Sequence, residues 1–137
     1  MTKSGQDCEE PTGAAVRSSD DALAVLTDPR FHEHCPPGFH PERPRRLDAA
    51  EHGAAQVRTA FRGRLHSLSV REATWDELAR VHDPAWLERL TRSLAGPAGY
   101  LDADTYFNAA SREAAWLAAG GGCVLVDALL GRQATVG

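Results

Sequence analysis

The chain has 137 residues, 42% of them hydrophobic and 25% charged, with a formal net charge of −4. That is the balance of an ordinary globular domain, and the acidic net charge gives no electrostatic reason to expect nucleic acid as a partner. No uninterrupted run of 18 apolar residues occurs, so no membrane span is expected, and the polar, acidic residues 1–10 do not resemble a secretory signal.

The three cysteines, Cys8, Cys35 and Cys123, are an odd number, far apart, with no C-x-x-C pair. They read as free thiols of a reducing compartment, and a cytoplasmic location is the expectation. Lys3 is the only lysine; so strong a preference for arginine reads as coding bias rather than a binding surface.

Residues 1–20 are rich in Gly, Ser, Thr and acids and read as a disordered leader, leaving residues 21–137 for structure. Ala22-Leu-Ala-Val-Leu-Thr27 is a short apolar run stopped by Asp28-Pro29, which suits a buried strand of a parallel sheet. An irregular loop over residues 30–39 follows, holding Pro36, Pro37 and Gly38.

A helix is expected from about residue 44 to 62. Proline at the first helical position loses nothing by lacking its N–H, and Leu47, Ala50, Ala54, Val57 and Phe61 recur at steps of three and four. Arg45 and Arg46 fall in its first turn, where the helix dipole disfavours cations. Either they are simply solvated, or a broken local rule marks a functional position.

Residues 65–70 alternate as a second strand. Thr74-Trp-Asp-Glu77 is a capping box, with Leu78 and Val81 on the apolar face of a short helix. Asp83-Pro84 starts a further helix lined by Leu87, Leu90 and Leu94 and stopped by Gly96-Pro97. His82 is expected to do no more than interact with the dipole at a helix C-terminus.

Residues 99–108 read as a second loop, and a last helix runs from about 110 to 130. Gly120, Gly121 and Gly122 lie inside it. Each costs about 1 kcal/mol against alanine in a helix interior, so either a sheet or helix approaches the backbone there, or the helix breaks in two. The order strand, helix, strand, helix, helix favours a parallel α/β sheet, and two recognisable strands suggest the opening part of such a domain.

Several side chains invite a chemical reading. His32, His34, Cys35 and His40 are zinc-ligand types, but the spacing H-x-H-C-x4-H matches no standard structural site, and Pro36-Pro37 stiffens its middle. Histidines beside a polar pocket are the better expectation. Asp102 and Asp104 alternate on an extended loop; one is expected to be exposed and the other functional or capping. No G-x-S-x-G element and no glycine-rich phosphate loop is present.

Three segments in series resemble one family: His40-Pro-Glu-Arg-Pro-Arg-Arg-Leu47, the stretch from Ala73 to Leu90, and Leu101-Asp-Ala-Asp-Thr-Tyr106 leading into the Ala-Ala-Gly-Gly helix. Over residues 22–131 they are similar to the N-terminal part of the zinc-dependent histone deacetylases, most closely the bacterial branch of acetylpolyamine amidohydrolases and acetoin-utilisation proteins. The resemblance implies an arginase/deacetylase-type α/β fold with a parallel sheet, of which this chain carries an incomplete N-terminal part. It implies hydrolysis of acetyl-lysine or acetylated-amine amides by a zinc ion that polarises the carbonyl and activates water.

By position, His40 and Pro41 resemble the tunnel-wall loop, Arg46 the arginine of an inner channel that passes acetate, and Asp104 the aspartate that accepts from substrate at the tunnel mouth. An anionic product would explain a cation at an unfavourable helix start. The family's R-P-P-G-H-H segment, D-x-H metal pair and tyrosine motif have no match in this sequence. The implied enzyme therefore has its metal ligands, proton-transfer histidines and oxyanion tyrosine outside these residues. This chain alone is expected to bind no zinc and to be inactive, as a truncated enzyme, as half of one completed by a C-terminal partner chain, or as a non-catalytic binding module.

Overall fold

A computed structural model describes residues 22–60 and 65–137. The expected leader, Phe61 and the helix stop at Gly63 lie outside those residues.

The expected first strand forms as β1 (Leu23–Leu26). Asp28 ends it: its Oδ1 accepts from the Arg30 amide at 3.0 Å, and Pro29 begins a 3-10 turn, Pro29–Glu33, where a loop was expected. The guanidinium of Arg30 returns to both Asp28 oxygens at 2.8 Å and reaches Glu113 at 2.8 Å. One side chain thus ties the end of the strand to the last helix.

Helix α1 (Arg45–Ala60) starts one residue later than expected, with Pro44 just ahead of it accepting from Leu47 N–H at 2.8 Å. Leu47, Ala54 and Val57 are half-buried on the predicted stripe. The chain then returns as β2 (Leu65–Leu68), which pairs parallel with β1 in the register Leu23 to Leu65 and Leu26 to Leu68. It is two residues shorter than expected.

Helix α2 (Trp75–Ala79) carries the full capping box: Thr74 Oγ1 accepts from Glu77 N–H at 3.2 Å, and the Glu77 carboxylate accepts from Thr74 N–H at 2.7 Å. Helix α3 (Pro84–Leu94) has Asp83 as its cap, accepting from Trp86 N–H at 2.9 Å, and it buries Leu87 and Leu94. His82 stacks on the Trp86 ring at 4.9 Å, a role beyond the expected dipole contact.

Residues 99–108 hold a small antiparallel hairpin, β3 (Gly99–Tyr100) and β4 (Tyr106–Phe107), where a loop was expected. Each strand has two residues, too few for alternation to register in the sequence.

Helix α4 (Ser111–Leu130) is continuous through all three glycines. As expected, a strand approaches it, with Leu26 of β1 lying over Gly121; closer still, over Gly120, is the extended segment 71–73, whose Ala73 amide donates to the Trp116 carbonyl at 2.9 Å. The helix closes in a Schellman-type end, with Gln133 N–H on the Ala128 carbonyl at 2.8 Å and Arg132 in the left-handed region at φ 56°.

Residues 134–136 then lie beside β1, the Ala24 amide donating to the Val136 carbonyl at 2.8 Å in a parallel bridge to Leu23. This third pairing was not expected from the sequence. β1 therefore has β2 on one side and residues 134–136 on the other. The main apolar cluster, Leu94, Phe107 and Trp116 with Leu78 and Leu90 against it, joins α3, α4 and the hairpin.

By length and a mean hydropathy of 1.4, α4 could cross a membrane, contrary to the expectation that no segment qualifies. One side of it packs inward, with Trp116, Leu117, Gly120, Gly121 and Ala128 buried. Its other side is uncovered: Val126 is 53% and Leu130 79% exposed, and Val136 beyond it 58%.

Acid should loosen this framework. Hydrogen bonds from Arg30 hold the Asp28 carboxyl down to about 2. A two-pronged bond from Arg71, at 2.8 and 2.7 Å, together with the Thr74 amide, holds Glu77 at about 2. Both folded values lie below the ordinary ones of 3.8 and 4.5. The unfolded chain therefore binds more protons in acid, and the stabilisation is complete above the unfolded values and lost as pH falls toward about 2. Melting temperatures measured across this range should decline with acid, and Glu77→Gln should flatten part of the slope.

Candidate functional site

Two cavities flank the start of α4. The first, about 620 Å³, lies between α1 and α4. Arg43, Pro44, Arg46, Leu47 and Ala50 form one wall, Ser111, Ala114, Ala115 and Ala118 the other, and Phe31 and His34 close the end. The second, about 610 Å³, lies between α3, the hairpin and α4, with Trp86, Arg89, Leu90, Asp102, Thr105 and Tyr106 in its lining. His34, Ser111 and Ala115 border both.

The border is a hydrogen-bonded set. Ser111 is 7% exposed, and its Oγ lies 2.7 Å from His34 Nδ1, 2.8 Å from the Asn108 amide and 3.1 Å from Asn108 Oδ1. The Asn108 side-chain amide donates to the Glu33 carbonyl at 2.9 Å, so its Oδ1 is the acceptor for the Ser111 hydroxyl. Ser111 Oγ then accepts from the Asn108 amide and from His34, which places the proton of a neutral His34 ring on Nδ1. Such a wall can hold a polar group between two largely apolar spaces. Sequence reasoning singled out His34 as a pocket histidine but missed Ser111 and Asn108. The available signal was an Asn three residues before a Ser at a helix start, a local turn pattern.

The expected site residues are distributed unevenly. Arg46 lines the first cavity. Arg45 beside it does not. His40 and Pro41 line neither cavity, though Glu42, Arg43 and Pro44 immediately after them line the first. Asp104 also lines neither; it stands 94% exposed on the hairpin, 3.4 Å from His40 Nε2. Asp102 is the capping member of the pair, accepting from the amides of Asp104 at 2.9 Å and Thr105 at 2.8 Å and from the Thr105 hydroxyl at 2.9 Å. Those bonds hold its carboxyl below the usual range.

The ring nitrogens of the three loop histidines have separate neighbours: His32 has Asp48 at 3.1 Å, His34 has Ser111, and His40 has the Glu42 amide. Among the described residues no three His, Cys, Asp or Glu side chains converge as metal ligands. These residues therefore do not fit a zinc site, and no step through a metal is assigned to them.

The chain resembles known proteins in sequence and in structure. Residues 40–137 match the histone deacetylase domain family model. Histone deacetylase 15 of Arabidopsis thaliana is 41% identical over 83 residues, covering 59% of this chain and 14% of that protein. The crystal structure of the HDA15 HD domain superposes with a TM-score of 0.70 at 33% identity, over 80% of this chain and 32% of that one. The chain thus spans about a third of the solved domain. The mixed helices and parallel strands are those of a partial deacetylase-type fold, and the chain belongs to the histone deacetylase family.

Proposed function

We propose that this chain forms the wall of a deacetylase pocket, one that in the complete domain hydrolyses the amide of acetyl-lysine or of an acetylated polyamine, as in the small-amine branch that its motifs resemble. Arg46 serves the acetate side of that pocket, and His40, Pro41 and Asp104 its mouth. The zinc ligands and proton-transfer groups come from residues other than these, and the described chain binds, orients and shields.

The observation that carries this reading is the position of Arg46. A cation at the first turn of α1 is disfavoured by the helix dipole, yet it borders a cavity of about 620 Å³ with largely aliphatic walls. Arg46 is exposed there, with Glu42 in the same lining, and a small carboxylate in the cavity would be a partner of opposite charge. Titration with sodium acetate, followed by amide NMR shifts, should move Leu47, Ala50, Ala115 and Ala118 together, with a dissociation constant on the order of millimolar. Arg46→Ala should abolish the response and Arg45→Ala should leave it. Equal loss in both variants would mean non-specific charge attraction and would count against the reading.

A second reading, half of an enzyme completed by a partner chain, is favoured by the uncovered apolar side of α4 and by the strand at residues 134–136, whose far edge has no pairing among the described residues.

A further inference from the structure

The His40 imidazole joins two loops that the sequence keeps 64 residues apart. Its ring is largely covered, 19% exposed. Nδ1 accepts from the Glu42 amide at 3.1 Å. The Glu42 carbonyl oxygen lies farther from Nδ1, at 3.3 Å; with the closer amide donating to Nδ1 and a carboxylate facing Nε2, the proton of the neutral ring belongs on Nε2.

That Nε2 is buried and has no aligned hydrogen-bond partner among the described residues. The Asp104 carboxylate stands in front of it, Oδ1 at 3.4 Å, within ion-pair reach but off the N–H direction. Asp104 itself is almost free: its carboxylate is 94% exposed and meets no other basic side chain among the described residues. Its main chain is not free, because Asp102 fixes the turn through the Asp104 and Thr105 amides. Arg43, a cation of the same loop as His40, is stacked on the Phe39 ring at 4.4 Å. What remains to set the direction of the Asp104 carboxylate is His40.

We propose that His40 is a positioning residue for Asp104: its Nε2–H holds one carboxylate oxygen and leaves the other facing outward to accept from an amide N–H of a bound acetylated chain. The substrate half of this statement rests on the proposed function; the His40–Asp104 contact does not. A buried donor strongly favours an acceptor, and a rotation of the exposed carboxylate closes the remaining gap. The contact also joins the loop ahead of α1 to the β3–β4 hairpin.

The test uses the full chain labelled with 15N-histidine. Long-range 1H–15N correlation of the neutral ring should show the Nε2–H tautomer at His40. Its proton should exchange with solvent about tenfold faster in Asp104→Ala. An Nδ1–H tautomer, or exchange unchanged in Asp104→Ala, overturns the proposal.

The second measurement titrates an acetyl-lysine tripeptide amide against the amide shifts of residues 102–106. His40→Ala should cut the response about threefold, and His40→Gln, which keeps a donor near the Nε2 position, should restore most of it. Equal responses in the two variants also overturn it. If the peptide moves nothing in any form while the His40 signature holds, the substrate reading fails and the positioning contact stands.

Discussion

Gly120→Ala should cost about 3 kcal/mol or more, at the upper end of overpacking penalties, while Gly122→Ala two residues on should stabilise by about 1 kcal/mol. The same chemical change gives opposite signs because the two glycines face different surroundings. A Cβ at Gly120 would overlap the Arg71 carbonyl and stand 2.5 Å from the Ala73 nitrogen. Both are main-chain atoms that cannot rotate away, and the second belongs to the amide that donates to the Trp116 carbonyl at 2.9 Å. A Cβ at Gly122 meets nothing within 4 Å, so alanine there only removes the conformational freedom that glycine brings to the unfolded chain. Urea unfolding of the two variants beside the parent measures both. A Gly120→Ala protein as stable as the parent would show that the segment 71–73 does not lie against α4.

Trp116→Ala is the second large effect, expected at about 3–5 kcal/mol. Trp116 is 6% exposed and sits with Leu94 and Phe107 where α4, α3 and the hairpin meet. Arg112 lies over its ring at 5.0 Å. The other two tryptophans are the control: Trp75 is 42% and Trp86 41% exposed, and alanine at either should cost about 1 kcal/mol or less for the Trp75 site and little more for Trp86, which also gives up its stacking on His82. Removing Trp116 should therefore lower the unfolding midpoint far more than removing either of the others. Comparable losses at all three would contradict the assignment of the core to α4.

Much of the local structure could be read from residues because the signals are short-range. Thr74 with Glu77 and Asp83 with Pro84 each specify a helix start through bonds within three residues, and both formed as expected; Asp28 with Pro29 stopped the strand as expected but began a 3-10 turn in place of a loop. The parallel pairing of β1 with β2 followed from an apolar run and an alternating one separated by a helix. What stayed hidden depends on distant partners. Residues 134–136 become strand-like only because β1 offers them an edge. Gly120 announces a close approach but not that the neighbour is the extended segment 71–73.

The candidate site divides in the same way. Arg46 was legible because it violates a local rule, and it borders a cavity. The His34–Ser111–Asn108 border was not, since Asn108 and Ser111 form an ordinary local turn ahead of α4 and meet His34 only in the fold. The resemblance placed Asp104 at a tunnel mouth; among the described residues it meets His40 rather than a cavity.

The account rests on these residues forming a pocket wall whose reactive centre lies in other residues of a deacetylase domain. The direct measurement is metal content and turnover of the purified 137-residue chain, after incubation with zinc, on a fluorogenic acetyl-lysine substrate. The predicted result is no stoichiometric zinc and no hydrolysis above the buffer rate. One tightly held zinc per chain together with deacetylation lost on chelation would contradict it.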